Sequence, residues 1–261
     1  MQNSNKLKFE SPSFGKRIKS MLSVDFYRLF HTPLFYIMIF VSAIIPALVL
    51  TMTGANETAD AQTFTNVWQV VEAVSGANSD KGLMSLATMC NINMVFIFTA
   101  IMIAIFVAHD YISGYNKSIF TVHPQKIDYV ISKAVVGFIS GACMIVAYVL
   151  GALVAGLISG LSFALGDASI LSVLFCLLSK ISLMGIFVPL YITVAVFFKQ
   201  KLWLSILGSF AVGILFYPIA MMTAPLNATI LNLIICIIGS ALIGVGFSSL
   251  ASLILNKRDL Y

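Results

Sequence analysis

Apolar residues in this sequence come in long blocks that short polar stretches separate. A helix needs about 20 mostly apolar residues to cross the hydrocarbon core of a bilayer. The third and fourth blocks are longer than a straight crossing requires, so we expect their helices to tilt, kink or emerge from the membrane. The pattern predicts six membrane-spanning helices, at about residues 33–53, 85–108, 129–161, 168–198, 202–222 and 228–255.

The composition favours an all-α membrane protein with a single transmembrane domain. Of the 261 residues, 60% are hydrophobic and 10% are charged, whereas soluble domains carry about 25% charged residues. The four cysteines lie in apolar blocks at wide spacings, which favours small core residues over a disulfide framework or a metal site. They are Cys90, Cys143, Cys176 and Cys236.

The distribution of Lys and Arg predicts the orientation of the chain. Six of these residues lie in residues 1–32 and three in residues 109–133, and the turn after the fourth span and the C-terminal tail hold two each. The loops on the opposite side hold only Lys81. Because Lys and Arg accumulate in cytoplasmic loops, we expect both termini and residues 109–133 in the cytoplasm. Residues 54–84 then form an extracellular loop.

Residues 13–31 predict a basic amphipathic helix before the first span. A helix of this kind lies in the membrane interface with its apolar face toward the lipid. It serves either as a surface anchor or as an elbow that braces the first span and lines a lateral entrance. The apolar face consists of Phe14, Ile18, Met21, Leu22, Phe26, Leu29 and Phe30, and the basic residues elsewhere include Lys16, Arg17, Lys19 and Arg28.

Two further patterns predict helix packing. Small residues recur in the third span, where they let helix backbones approach closely; they are Gly137, Gly141, Ala147, Gly151, Ala155, Gly156 and Gly160. Apolar residues at helical spacing in the extracellular loop predict a short amphipathic helix that rests on the outer interface, and the alternative is a lid that contacts a peptide. These residues are Phe64, Val67, Trp68, Val71 and Val74.

Motifs for catalysis and for nucleotide binding are absent from the sequence. There is no Gly-x-x-x-x-Gly-Lys-Ser/Thr loop, so we expect no ATP site of the Walker type on this chain. Neither His-Glu-x-x-His nor Gly-x-Ser-x-Gly occurs, and no Asp or Glu falls within a predicted span. Both an ion-coupled transporter and an intramembrane protease are therefore disfavoured.

Lys180 is the one charged residue near the middle of a predicted span. Since no acid in the spans can pair with it, we expect its side chain to reach the outer interface. The alternative is a place inside the bundle, where Lys180 contacts an anionic substrate or lipid headgroups.

The polar stretch "HDYISGYNKSIFTVHPQKIDYVISK", residues 109–133, carries a family resemblance. An acid ends the second span, and Gly, Lys, a short apolar turn, Pro, Tyr and Ser-Lys follow. With "FYRLFHTPLFYIMI" at residues 26–39 and the six spans, the chain resembles the transmembrane subunit of an ABC exporter of the type-2 permease superfamily. It is similar to bacterial peptide-toxin, lantibiotic-immunity and bacitracin-resistance permeases. Gln125-Lys126 departs from relatives that often carry Arg after the Pro.

The resemblance implies that residues 109–128 hold a coupling helix that seats in a separate ATPase subunit. Gly114 then ends the helix of the second span, and Tyr115, Ile119 and Phe120 offer a compact apolar knob that Lys117 and Asp110 flank. The residues implied for ATPase coupling are Asp110, Gly114, Tyr115, Lys117, Ile119, Phe120 and Pro124.

The resemblance also implies an assembly in the bacterial plasma membrane. Two ATPase subunits bind ATP and Mg, and two copies of this chain form the pathway, with no cofactor, metal, nucleic acid or catalytic residue on the chain itself. The expected cargo is an amphipathic or antimicrobial peptide, exported by alternating access. Export of a small drug, a lipid or an ion is the alternative within transport. A non-catalytic membrane scaffold and a membrane-embedded enzyme are the alternatives from other classes.

Overall fold

Long apolar helices dominate the structure, because a bilayer offers no water to satisfy the backbone groups of other conformations. This computed structural model describes residues 13–54, 66–72, 91–122, 125–165, 169–199 and 201–257. Within these ranges the helices are α1 (Phe14–His31), α2 (Pro33–Gly54), α3 (Val67–Val71), α4 (Met94–Ile112), α5 (Tyr115–Val122), α6 (Lys126–Ile158), α7 (Ile170–Phe198), α8 (Leu202–Thr223) and α9 (Ile230–Lys257). Six of them, α2, α4, α6, α7, α8 and α9, are long and apolar enough to cross a membrane.

The six predicted spans correspond to these six helices. Five of them agree with the predicted bounds to within about three residues, and residues 85–90 of the second predicted span lie outside the described residues. Helix α4 continues past the predicted end of that span to Ile112, and α6 begins at Lys126. Asp110 and Asp128 lie beyond the predicted bounds of the spans, at the end of α4 and at the beginning of α6.

Helix α7 lies at the centre of the bundle and packs against α4, α6, α8 and α9. Helix α2 packs on α6, and α1 crosses the beginning of α6. The end of the bundle that carries α1 and α5 is called the α5 end below. The opposite end, which carries α3, is called the α3 end.

Glycines in α6 allow close helix contacts, as the spacing of small residues predicts. A Cβ atom at Gly151 would overlap the backbone carbonyl of Ala43 in α2. At Gly141 it would press on the Met184 side chain of α7, and at Gly156 on Val67 of α3. Of these three contacts, the one between Gly151 and Ala43 tolerates an added methyl group least, because the Ala43 atoms are backbone atoms and cannot rotate away.

Helix α3 forms inside the loop where its amphipathic pattern predicts a helix. The prediction that this helix rests on an outer surface is wrong, however, because Val67, Val70 and Val71 are all buried. Val70 packs with Leu50 of α2 and Ala155 of α6. The small residues of α6 create the space that these valines fill. Phe64 and Val74 lie outside the described residues.

The Gly151 contact yields a stability prediction. We expect Gly151→Ala to lower the free energy of unfolding by about 1–3 kcal/mol, because the added methyl group forces α2 and α6 apart. Gly239→Ala in α9 is the matched control, since nothing lies within 4 Å of a Cβ atom there and alanine favours a helix. Denaturation with SDS in mixed micelles measures both variants. Equal stability of the two would contradict the close contact.

Candidate functional site

The chain breaks sharply between α4 and α5. Gly114 has a φ of +73°, a left-handed conformation that glycine adopts without steric cost. Its carbonyl accepts a hydrogen bond from the backbone N–H of Lys117 at 3.0 Å, which begins α5. The prediction that Gly114 ends the helix of the second span is confirmed.

One face of α5 packs on the bundle and the other is exposed. Phe120 is buried, and its ring meets that of Tyr129 edge to face with centroids 5.4 Å apart. The exposed face instead carries Lys117, Ser118 and Thr121. Phe120 therefore packs within the chain itself, because the first turn of α6 offers it an apolar partner, and Tyr115 and Ile119 are the members of the predicted apolar knob that stay partly exposed. Pro124 lies outside the described residues.

The remaining predicted residues on α5 take intermediate positions. Tyr115 and Ile119 are partly buried. Tyr115 faces the bundle, with the guanidinium carbon of Arg28 at 4.1 Å from its ring centroid. This distance is typical of a cation–π contact, so α5 is attached to α1 as well as to its neighbours in sequence.

A buried network of charges lies behind α5. The ammonium of Lys133 is 2.7 Å from Asp25 Oδ1 and 2.7 Å from Asp110 Oδ2. Arg28 forms an ion pair of 2.5 Å with Asp110 Oδ1. Asp25 comes from α1, Asp110 from α4 and Lys133 from α6, so the network joins three helices where they meet α5.

Hydroxyl groups donate further hydrogen bonds to both carboxylates. Ser132 donates a hydrogen bond of 2.6 Å to Asp25 Oδ2, and Tyr129 donates one of 2.9 Å to Asp110 Oδ2. The Lys133 ammonium also lies 4.1 Å from the ring centroid of Phe106. A buried charge is tolerated when it is both paired and hydrogen-bonded, and these carboxylates meet that condition.

The network is neutral overall. Burial lowers the pKa of the Arg28 guanidinium, but the carboxylates of Asp110 and Asp25 outweigh it, and that pKa is raised. Burial of the Tyr115 phenol and the nearby Asp25 carboxylate raise the pKa of Tyr115, and the opposing effect of Arg28 is smaller. Two cations therefore balance two carboxylates, with Tyr115 uncharged at neutral pH.

A second ion pair fastens the beginning of α1. Arg17 Nε lies 2.8 Å from Asp128 Oδ2 in the first turn of α6, and Arg17 also donates a hydrogen bond to the Gln125 side chain. Among the apolar residues of α1, Met21 and Leu29 are buried. Ile18, Leu22 and Phe26 are half-buried, and Phe14 is exposed.

Asp25 and Lys133 are the functional candidates that the sequence patterns missed. Asp25 lies four residues after Met21 and four before Leu29, on the face of α1 that packs against α6. That spacing is a usable signal, because an acid on the buried face of a helix needs a cation opposite it. In the sequence, Lys133 counts among the Lys and Arg residues that predict the orientation of the chain in the membrane. In the structure its side chain is buried in an ion pair.

Lys180 lies at the other end of the bundle in a second buried network. Its ammonium is 2.7 Å from Glu72 Oε2 and 2.7 Å from Asn93 Oδ1, and the lysine is fully buried. The expectation that Lys180 lacks an acidic partner is therefore wrong. Its acid comes from the loop after α2 and not from a span. Buried in this way, Lys180 makes no contact with lipid.

An open apolar groove of about 430 Å³ runs between α6, α7 and α9. Its lining includes Phe138, Pro189, Gly244 and Val245, and the side-chain hydroxyls of Ser240 and Ser248 are its polar groups. The groove holds no titratable side chain, so it suits an apolar occupant and offers no acid or base.

The described residues contain no group of three or more His, Cys, Asp or Glu side chains that could hold a metal ion. Comparison of the chain with models of protein families, with curated proteins and with solved structures finds no match. The function must therefore be argued from the geometry and from the sequence patterns.

The network beside α5 yields a second stability prediction. We expect Lys133→Met to lower the free energy of unfolding by about 3–5 kcal/mol, because it leaves two buried carboxylates with a single cation. Lys117→Met removes an exposed lysine at the same end of the bundle and should change stability by less than about 0.5 kcal/mol. Denaturation of both variants in mixed micelles gives the comparison. If the Lys133→Met protein is as stable as the Lys117→Met protein, Lys133 does not form the buried ion pairs with Asp25 and Asp110 in the unmodified chain.

Proposed function

We propose that this chain is the membrane-spanning subunit of an ATP-driven exporter, in which α5 receives the motion of a separate ATPase subunit. The observation that carries the proposal is the construction of α5. It is a separate two-turn helix between two spans, with a polar exposed face and an inner face anchored to the bundle. A surface loop that only connects two spans needs neither feature.

The connections of α5 suggest how the motion is transmitted. Phe120 packs on Tyr129 of α6, and Tyr115 stacks on Arg28, which in turn pairs with Asp110 of α4. A force on α5 is thereby distributed to α1, α4 and α6 together. Because packed helices move as rigid bodies between discrete arrangements, a displacement of α5 tilts this group as a unit.

The proposed orientation places the α5 end in the cytoplasm, as the distribution of Lys and Arg favours. Helix α1 then lies at the cytoplasmic interface, where its exposed Tyr27 and Phe30 contact lipid. The location is the plasma membrane of a bacterium. Each complex comprises two copies of this chain and two ATPase subunits, which bind ATP and Mg.

The proposed cargo is an amphipathic or antimicrobial peptide, and this part rests on the family resemblance. The apolar lining of the groove between α6, α7 and α9 is compatible with such a cargo and with a lipid-like drug. Export of a small drug, a lipid or an ion remains the second hypothesis within transport. Comparing the resistance of cells that express the complex to peptides and to drugs distinguishes these cargoes.

The exposed face of α5 provides a test of the coupling role. Lys117→Glu reverses a charge at the centre of that face and should weaken association with the ATPase at least tenfold, an effect of about 1.4 kcal/mol. The ATPase to use is one encoded beside this chain, which Walker motifs would identify. Affinity is measured with both proteins purified, together with ATP hydrolysis by the complex in lipid nanodiscs.

Lys257→Glu is the matched control for that test. Lys257 is an exposed lysine at the same end of the bundle, at the end of α9 and outside α5. We expect this variant to bind and to stimulate hydrolysis as the unmodified chain does. If Lys117→Glu also behaves like the unmodified chain, α5 is not the coupling helix, and a non-catalytic scaffold becomes the better hypothesis. Phe120→Asp would test the coupling role less well than Lys117→Glu. Because Phe120 is buried, a charged residue at this position is expected to cause misfolding.

A further inference from the structure

Helix α8 carries polar residues on the face that packs inside the bundle, where it lies against α4 and α7. Its large apolar residues, such as Trp203 and Leu215, are exposed instead. Its buried residues are Ser205, Ser209, Gly213 and Ala220. Inside a membrane protein such hydroxyl groups need a hydrogen-bond partner, because the hydrocarbon core of the bilayer offers none.

Three hydroxyl groups in this region are buried without a partner. Neither Ser205 Oγ and Ser209 Oγ of α8 nor Tyr191 Oη of α7 has a hydrogen-bond partner among the described residues, and all three residues are fully buried. Bonding to the backbone of the same helix is possible elsewhere in α8, since the Thr223 hydroxyl donates to the Ile219 carbonyl at 2.7 Å. A buried hydroxyl without a partner is costly, so these three require a partner other than the side chains around them.

Gly213 leaves a space beside the Tyr191 hydroxyl. A Cβ atom at Gly213 would lie 3.5 Å from Tyr191 Oη and 3.5 Å from Ile97 Cγ1 of α4. These are ordinary van der Waals distances, so a methyl group would fit there, whereas at Gly208 it would overlap the Phe198 ring. Space and polar partners are the two requirements of a buried water molecule, and the junction of α4, α7 and α8 provides both.

The spacing of the hydroxyl groups also suits water. Ser209 lies one helical turn before Gly213, and Ser205 lies one turn before Ser209. Residues one turn apart on a helix have Cβ atoms about 5–6 Å apart, and two successive O–H···O hydrogen bonds of about 2.8 Å cover that distance. One water molecule can therefore join Tyr191 Oη to Ser209 Oγ, and a second can join Ser209 to Ser205.

In the other direction the polar face of α8 leads into the Lys180 network. Tyr217, one turn after the glycine, donates a hydrogen bond of 2.7 Å to Asn91 Oδ1. The same oxygen accepts one of 3.0 Å from the backbone N–H of Asn93, whose side chain accepts one from Lys180. Asn91 Nδ2 is buried and has no acceptor in the part of the chain that the structure describes. Polar groups thus follow α8 from Ser205, near the α5 end, to the network at the α3 end.

We propose that water binds inside the bundle on the inner face of α8, held by the hydroxyls of Tyr191, Ser209 and Ser205 in the space beside Gly213. The bound water provides the hydrogen bonds that these hydroxyls lack, and it extends the polar network of Lys180 toward the α5 end. The water site requires neither the ATPase nor a particular orientation in the membrane, so it can fail or succeed independently of the proposed function.

Radiolytic footprinting of the protein in lipid nanodiscs tests the water site. An X-ray pulse converts water into hydroxyl radicals, which oxidise adjacent side chains, and mass spectrometry measures the rate for each residue. Tyr148 of α6 is the internal control, because it is as fully buried as Tyr191 but its hydroxyl donates to the Val70 carbonyl at 3.1 Å. We expect Tyr191 to be oxidised about tenfold faster than Tyr148, since only Tyr191 contacts bound water.

Two variants locate the water. Gly213→Ala fills the space with a methyl group that meets no clash, and it should reduce the oxidation of Tyr191 to the rate of Tyr148. Ser209→Ala removes one hydrogen-bonding partner without adding volume and should also reduce that rate. Gly239→Ala is the matched control, because it adds a methyl group to α9 where nothing lies within 4 Å, and Tyr191 should be oxidised as in the unmodified chain.

Three outcomes would overturn the proposal. If Tyr191 and Tyr148 are oxidised equally slowly in the unmodified chain, the serines serve only the close packing of α8. If neither Gly213→Ala nor Ser209→Ala changes the oxidation of Tyr191, these residues do not hold the water. If Gly213→Ala raises the oxidation of Tyr148, the added methyl group disturbs the bundle, and the space beside Gly213 does not exist.

Discussion

The structure depends on one constraint, which is that a carboxylate removed from water must find a cation. The acids in the described part of the chain are Asp25, Glu72, Asp110 and Asp128, and every one of them is buried and lies within 4 Å of a cation. Buried ion pairs add little net stability compared with apolar contacts, but an unmatched partner is costly. These pairs therefore specify which elements meet: α1 with α6, α4 with α1 and α6, and the residue after α3 with α7.

The positions of the spans could be predicted because hydropathy is a local property. A block of apolar residues of sufficient length becomes a membrane helix whatever its neighbours are. The break at Gly114 was predictable for the same reason, since a left-handed turn selects glycine at one position. The close approach of α6 to its neighbours also followed from the spacing of its small residues.

Pairings between distant residues could not be predicted in the same way. Glu72 and Lys180 are more than a hundred residues apart, and nothing near either one indicates the other. Lys133 resembled an ordinary loop lysine because the count of positive charges does not distinguish exposed side chains from buried ones. Phe120 was assigned to the apolar knob for an ATPase because the inner face of a short helix can be recognised only after the helix that it packs on is placed.

The burial of the acids has a further consequence for the surface. With every described carboxylate enclosed, the exposed Asp, Glu, Lys and Arg side chains of the described residues are all lysines: Lys16, Lys19, Lys117, Lys201 and Lys257. Among the described residues, the α5 end therefore presents exposed cations and no exposed carboxylate. An approaching macromolecule with an acidic face is accelerated by the field of these cations, and its rate of encounter falls steeply as ionic strength rises. The pairing of acids in the interior thus leaves the exposed charge of the described residues positive, and this charge makes encounters with an acidic surface dependent on salt.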